Sequence, residues 1–294
     1  MKEYTKKKIC FALLVHENRE LVEQLIANIN YYCPNSHIVL YNGGNKPNLC
    51  EELGVQVCPT SKKLKYGNLS SYFFETMEWL DEINLNYDYF INLDSDVLFF
   101  RKGYEEFIEE QMKDADYMGV KLRIPDKNWT CGKSFKKDIQ RWEPFFCTKP
   151  FWGVFNVGQV MSKELVKALL EYEKLISLKN ALEETDVFGI EEIIFTNLAN
   201  ELGFKMKSYP DDCGEKLIRY RPHFKVKELS KCLSKKVGWL AHPIHRTKWD
   251  PAREFIYELQ SRNINDQKSL IDKNNKNKRQ SYSFKNYKSK KGNA

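Results

Sequence analysis

Tyr87-Asp88-Tyr89-Phe90-Ile91-Asn92-Leu93-Asp94-Ser95-Asp96-Val97-Leu98-Phe99-Phe100 is the stretch from which the rest of the chain can be read. Its aromatic and β-branched residues predict a strand over 87–93, delivered into two carboxylates one residue apart. Residues on both sides of Asp94 and Asp96 are apolar, so the acidic pair lies in a segment built for burial. Buried carboxylates are costly unless a cation compensates them. Hard oxygen ligands at a strand end suit Mg²⁺ or Mn²⁺, which complete their coordination shell with substrate phosphates. An Asx-turn that closes the strand is the plainer reading of the same residues.

Upstream, Ile9 to Val15 is a continuous apolar run, as in a strand buried on both faces of a parallel sheet. Leu21, Leu25, Ile26 and Ile29 recur at helical spacing over 20–32, and Pro34 stops them. His37 to Tyr41 predicts a second strand, closed by Asn42-Gly43-Gly44, and Val55 to Cys58 a short third. Phe73, Phe74, Met77 and Leu80 mark one face of a helix over 70–80. Strands alternating with helices predict a doubly wound α/β sheet with its ligand at the strands' carboxyl ends.

Downstream, 123–152 loses its periodicity and mixes Trp129, Trp142, Phe145, Phe146, Phe151 and Trp152 with lysine and arginine. A long irregular segment inside a compact domain is usually functional, and these aromatics suit either an acceptor-stacking platform or the core of a lid. A strand is expected at 153–161, helices at 163–175 and 188–202, a strand at 204–209, and a last helix around 251–259. One domain over 8–261 results, followed by a tail at 262–294 that lacks any hydrophobic pattern and reads as disordered.

The formal charge of +7 is unevenly spread, because the tail holds ten Lys/Arg against two Asp. The remainder is close to neutral, which argues against a nucleic-acid-binding domain. The tail suits peripheral contact with an anionic membrane. Eight cysteines lie scattered without zinc-like spacing, as reduced thiols of a cytoplasmic protein would. The apolar run near the N-terminus is short for a signal peptide, and no stretch is long enough to span a membrane.

Tyr89 to Leu98 resembles the D-x-D segment of GT-A glycosyltransferases, and the element order from Ile9 to Asp96 is similar to theirs. Lys65-Tyr66-Gly67-Asn68-Leu69-Ser70 resembles the donor-side loop of the core-2/I-branching N-acetylglucosaminyltransferases. Gly189 to Thr196 resembles the Asp-Glu-aromatic helix of that group and the Glu-Asp pair of inverting family 2. The core-2 group is metal-free and lacks D-x-D, so the acidic pair here implies the metal-dependent GT-A mechanism instead.

The resemblance implies a GT-A fold with Asp94 and Asp96 on the metal, His242 as third ligand and His245 as its alternate. Arg246 and Lys248 would neutralise the diphosphate, with Gly67 in the donor loop. His16, Asn18, Tyr41 and Asn42, after the first two strands, would hold the nucleoside, though turn chemistry accounts for them equally. Periodicity leaves Glu191 and Glu192 both flanking a buried face, and two solvated acids in a helix's first turn are the plain alternative. Resemblance places the catalytic base on Glu192.

The implied reaction is metal-dependent transfer of a sugar from a nucleotide-sugar donor, UDP-linked, with inversion. Its acceptor would be the hydroxyl of a carbohydrate, glycolipid or glycoprotein. A sugar-phosphate nucleotidyltransferase ranks lower, since His16-Glu17-Asn18-Arg19-Glu20 replaces the Gly-rich phosphate loop expected after the first strand. A carbohydrate-binding pseudoenzyme with the same fold is the non-enzymatic alternative.

Overall fold

A computed structural model describes residues 7–16 and 18–265. The first half alternates strands and helices: β1 (Ile9–Val15), α1 (Arg19–Tyr32), β2 (His37–Asn42), β3 (Gln56–Val57), α2 (Ser70–Glu82) and β4 (Tyr89–Asp94). Then follow β5 (Leu98–Phe99), α3 (Tyr104–Gln111), β6 (Tyr117–Arg123), α4 (Thr130–Lys137), α5 (Ile139–Trp142) and β7 (Gly153–Ser162). The remainder is α6 (Lys163–Leu170), α7 (Leu175–Glu184), α8 (Glu191–Glu201), β8 (Met206–Ser208), α9 (Val226–Lys235) and β9 (Leu240–Ala241). A last helix, α10, covers 251–265.

Seven strands form one sheet in the order β3-β2-β1-β4-β7-β6-β8. β1, β2, β3 and β4 run parallel, β7 is antiparallel to both its neighbours, and β6 is parallel to β8. The mixed, doubly wound α/β architecture expected from the sequence is present. Alternation along β1 explains its unbroken apolar run. Ile9, Phe11, Leu13 and Val15 enter a core shared with α1, α3, α9 and α10. Cys10, Ala12 and Leu14 enter a second core with α2 and α4 to α8. A strand buried on both faces has no polar side to show. Six of the eight free cysteines are buried in the same way.

Several expectations need correction. The aromatic segment 123–152 contains α4 and α5, and Trp129, Phe135, Trp142, Phe145, Phe146 and Phe151 are all buried. They are core, and only Trp152 of the six aromatics named there is partly exposed. The helix expected at 163–175 ends at Leu170, and a separate α7 follows. The one expected at 188–202 begins at Glu191, because Gly189 turns the chain with φ +68°. A Cβ at Gly189 would collide with Cys131 Sγ, so glycine serves both the left-handed backbone and the close approach. α3, β6, α7 and α9 were not foreseen. Residues 262–265, assigned to the tail, continue α10. The rest of the tail, with its expected disorder and membrane contact, lies outside the described residues. No helix among the described residues is long and apolar enough to cross a membrane.

Candidate metal and donor site

The carboxyl ends of β1, β2 and β4 open on one side of the sheet, with Leu14 of β1 in register with Asp94 at the end of β4. A second, two-stranded sheet completes the site. β5 pairs antiparallel with β9, setting Leu98 opposite Ala241 and Phe99 opposite Leu240. Backbone hydrogen bonds extend this clasp: Ile244 N–H donates to the Asp96 carbonyl at 2.8 Å, and His242 N–H to the Leu217 carbonyl at 2.9 Å. The segment carrying His242 is thereby fixed beside the acidic turn, far away in sequence.

Asp94, Asp96 and His242 present ligand atoms within 4.8 Å of one another. His242 Nδ1 lies 2.9 Å from the Arg219 carbonyl oxygen. A carbonyl only accepts, so Nδ1 carries a proton and Nε2 is the nitrogen left to face the acidic pair. That Nε2 is 3.1 Å from Asp96 Oδ1. So close an approach of ring nitrogen and carboxylate requires a proton or a cation between them. A backbone carbonyl fixing the far nitrogen is also the usual support of a metal-binding histidine. Asp94 Oδ1 is buried with no hydrogen-bond partner among the described residues. These residues fit a divalent cation.

The two carboxyls differ in acidity. Burial and the neighbouring Asp96 charge raise Asp94 above the usual carboxylate range. Burial acts on Asp96 in the same direction, but His242 and Arg246 outweigh it and hold this carboxyl below its ordinary value. Arg246, expected on a diphosphate, places Nη2 3.0 Å from Asp96 Oδ1 and 3.9 Å from Asp94 Oδ2. In this state it supplies part of the charge that the acidic pair requires.

The other expected site residues separate into groups. His245 is exposed and stacks on His223, with ring centroids 3.5 Å apart, outside the three-residue cluster. Lys248 pairs with Glu20 at 2.6 Å. His16 is exposed at the end of β1, close enough for its charge to favour ionised Asp94. Asn18 caps α1 by accepting from Leu21 N–H at 3.1 Å. Asn42 braces its own turn, donating to the Lys46 carbonyl and accepting from Gly44 N–H. Tyr41 is fully buried, edge-on to Tyr72 at 5.3 Å, with its hydroxyl donating to Glu75. Its ring has no free face for a base, so turn and core chemistry explain Asn18, Asn42 and Tyr41. Gly67, at φ +80°, accepts from Gly189 N–H at 2.6 Å and leaves no room for a Cβ against Phe188. It joins the loop at 65–70 to the start of α8.

Glu191 and Glu192 are both buried, so the solvated-acid reading fails. Glu191 Oε2 accepts from Leu69 N–H at 3.1 Å. Burial, then the adjacent Glu192, pushes its carboxyl up to about 8. Glu192 Oε2 accepts from Trp129 Nε1–H at 3.0 Å and Oε1 from Asn156 N–H at 3.4 Å. Burial raises it to about 7, against the Cys131 thiol, Asn156 and Trp129, which favour the carboxylate. The sequence does not mark Trp129 and Asn156 as partners of Glu192, or the Arg219 carbonyl as the partner of His242. A tryptophan in an irregular stretch, an asparagine in a strand and a backbone oxygen carry no local signature of partners so distant.

No protein-family profile matches the chain, and no curated protein matches it. Solved structures are similar at low identity. Core-mannan synthase A from Aspergillus fumigatus, in its Mn/GDP form, is 9% identical, with TM-score 0.36, over 71% of this chain and 74% of that one. A mannosyltransferase from Pyrobaculum calidifontis, in complex with GDP-Man and Mn²⁺, is 9% identical, with TM-score 0.42, over 71% and 56%. The glycosyltransferase GlyE of Streptococcus pneumoniae TIGR4 is 14% identical, with TM-score 0.42, over 87% and 60%. Superpositions this loose transfer no ligand or residue role.

Proposed function

We propose that this chain is a metal-dependent glycosyltransferase of the GT-A type, moving a sugar from a UDP-linked donor to a hydroxyl of a carbohydrate or glycoconjugate, with inversion. The observation that carries the proposal is the convergence of Asp94, Asp96 and His242 Nε2 at the strands' carboxyl ends, with the tautomer of His242 fixed by Arg219. Two carboxylates suit Mg²⁺ or Mn²⁺, and the imidazole favours Mn²⁺. When bound, that cation supplies Lewis-acid stabilisation of charge on the leaving diphosphate.

Glu192 is the base. Near 7, its carboxyl is partly ionised at neutral pH, and two N–H donors orient it. The acceptor O–H gives its proton to Glu192 while its oxygen bonds to the anomeric carbon, and the bond to the diphosphate breaks with its electron pair leaving on the diphosphate. Glu191, near 8 and tied to Leu69, is mostly protonated at pH 7 and suits loop positioning. α1 begins directly after its Asn18 cap, which leaves no Gly-rich phosphate loop after β1 and disfavours a nucleotidyltransferase.

Calorimetric titration of UDP with and without Mn²⁺, followed by Mn²⁺-dependent hydrolysis of UDP-sugars, tests the reading. Binding that ignores Mn²⁺ overturns the metal site, and tight binding with no turnover marks a pseudoenzyme. NMR of the transfer product decides the stereochemistry, and a retained anomer rules out Glu192 as the base of a direct displacement. The basic tail is assigned to an anionic membrane surface, where each Lys or Arg would contribute about 1 kcal/mol.

A further inference from the structure

Arg246 meets the acidic pair at the very atom that a bound ion would need. Asp96 Oδ1 lies 3.1 Å from His242 Nε2 and 3.0 Å from Arg246 Nη2. Two ligands about 2.1 Å from one ion, at a right angle, stand about 3.0 Å apart, so Oδ1 and Nε2 already suit neighbouring positions on an octahedral cation. The guanidinium is held at the same oxygen by charge and not by a directed bond. Asp96 Oδ1 has no hydrogen-bond partner among the described residues, and Arg246 Nη2 reaches Asp94 Oδ2 only at 3.9 Å.

The surroundings fix the backbone beside Arg246 and leave its side chain room to move. Ile244 N–H donates to the Asp96 carbonyl, and the fully buried Arg253 of α10 donates from Nε to the His245 carbonyl at 3.1 Å. Arg246 keeps 33% of its side-chain surface accessible, against 5% for His242 and 6% for Asp96. The ligands are set in place, and the cation beside them is the part that can leave. Charge decides when it does. With no ion present, the guanidinium offsets part of the charge on two carboxylates. A divalent ion balances both carboxylates by itself, and a guanidinium on the same oxygen is then a surplus positive charge, repelled at short range. A diphosphate on the ion's open positions offers that guanidinium a new partner, because its planar N–H fork matches phosphate oxygens.

We propose that Arg246 is an exchangeable counter-cation, seated on the acidic pair without metal, displaced when a divalent ion binds, and transferred to the diphosphate of the donor. Metal alone must compete with the guanidinium, whereas metal together with a diphosphate gives it somewhere to go. The site therefore takes up its ion and its nucleotide as a pair. This assignment rests on the reading of Asp94, Asp96 and His242 as the metal site.

The test uses the full chain, stripped of metal and titrated calorimetrically with Mn²⁺ in the absence and presence of saturating UDP. Without UDP, Arg246→Ala binds Mn²⁺ at least about tenfold tighter than wild type, and Arg246→Lys, which keeps the charge, stays near wild type. With UDP, the advantage of Arg246→Ala disappears or reverses. The metal-free Arg246→Ala variant has a lower thermal midpoint than wild type, and Mn²⁺ raises it by more. Nitrogen NMR of the Arg246 side chain in the wild type follows the exchange directly, with diamagnetic Mg²⁺ as the ion. Its guanidinium signal moves when Mg²⁺ is added alone and moves again with UDP. An Arg246 signal indifferent to saturating Mg²⁺ overturns the exchange, as does Mn²⁺ binding to Arg246→Ala no tighter than to wild type. An equal gain with and without UDP overturns the transfer to the diphosphate. Failure of both wild type and Arg246→Ala to bind Mn²⁺ overturns the metal site itself, and the exchange with it.

Discussion

At the scale of the residue, the site depends on single atoms whose partners are fixed. His242 Nε2 is aimed at Asp96 because Nδ1 is engaged by Arg219, whereas the His245 ring stacks on His223. His242→Ala should weaken Mn²⁺-dependent UDP binding by about tenfold or more, and His245→Ala far less. Asp96→Ala should abolish it. Calorimetry measures the order, and the reverse order moves the ligand to His245. Glu192→Gln should cut turnover by about 10²–10⁴-fold with donor affinity little changed, the usual contribution of a general base. Glu191 makes a different prediction, about stability. Its folded pKa of about 8 is raised above the ordinary 4.5. Below 4.5 both folded and unfolded chains hold the proton, and nothing is lost. Between there and about 8 the unfolded chain releases it and the folded chain does not, so stability falls as pH rises. Glu191→Gln cannot ionise, so its advantage in thermal midpoint over wild type should grow from pH 5 to pH 9. A constant difference would show that Glu191 is already charged in the fold.

At the scale of the element, legibility tracked how local each signal was. β1, β2, α2 and β4 were readable because each carries its own apolar period. β6 was missed because its pairing with β7 is irregular and Lys121 adopts φ +59°, which breaks strict alternation. α9 was missed because Leu229 is its single buried residue, too little for a helical stripe. The boundary between α6 and α7 has neither Gly nor Pro, so the apolar spacing ran straight through it. The Asp94 and Asp96 pair was visible in sequence, as was the cluster around His242, and resemblance joined the two, but no local pattern shows their contact. That contact depends on the pairing of β5 with β9, strands of two residues each. Ile244, fully buried beside this clasp and bonded through its N–H to Asp96, should reveal the dependence. Ile244→Ala should cost about 2–4 kcal/mol in denaturant unfolding. It should also weaken Mn²⁺ binding although no ligand is changed. Intact metal affinity in that variant would show that the clasp does not position His242.

At the scale of the whole molecule, one sheet separates two cores, and the residues assigned to the metal and to the proton are reached from different strands. Asp94 ends β4, while Glu192 hangs from α8 with Asn156 of β7 beneath it. The tail is a separate matter. Removal of 266–294 should leave transfer to a soluble acceptor unchanged and reduce sedimentation with anionic vesicles, increasingly so at low salt. Equal sedimentation with and without the tail would remove the membrane assignment.

The pairing of β5 with β9 also has a consequence for the order in which the protein comes into being. Asp94 and Asp96 leave the ribosome long before His242, and until β9 arrives the acidic turn has neither its histidine nor Arg246. A nascent chain arrested short of residue 240 therefore carries the two carboxylates without the histidine and arginine that face them in the finished fold. Residues 240–246, made well after the strand that bears the acids, are what completes the proposed site.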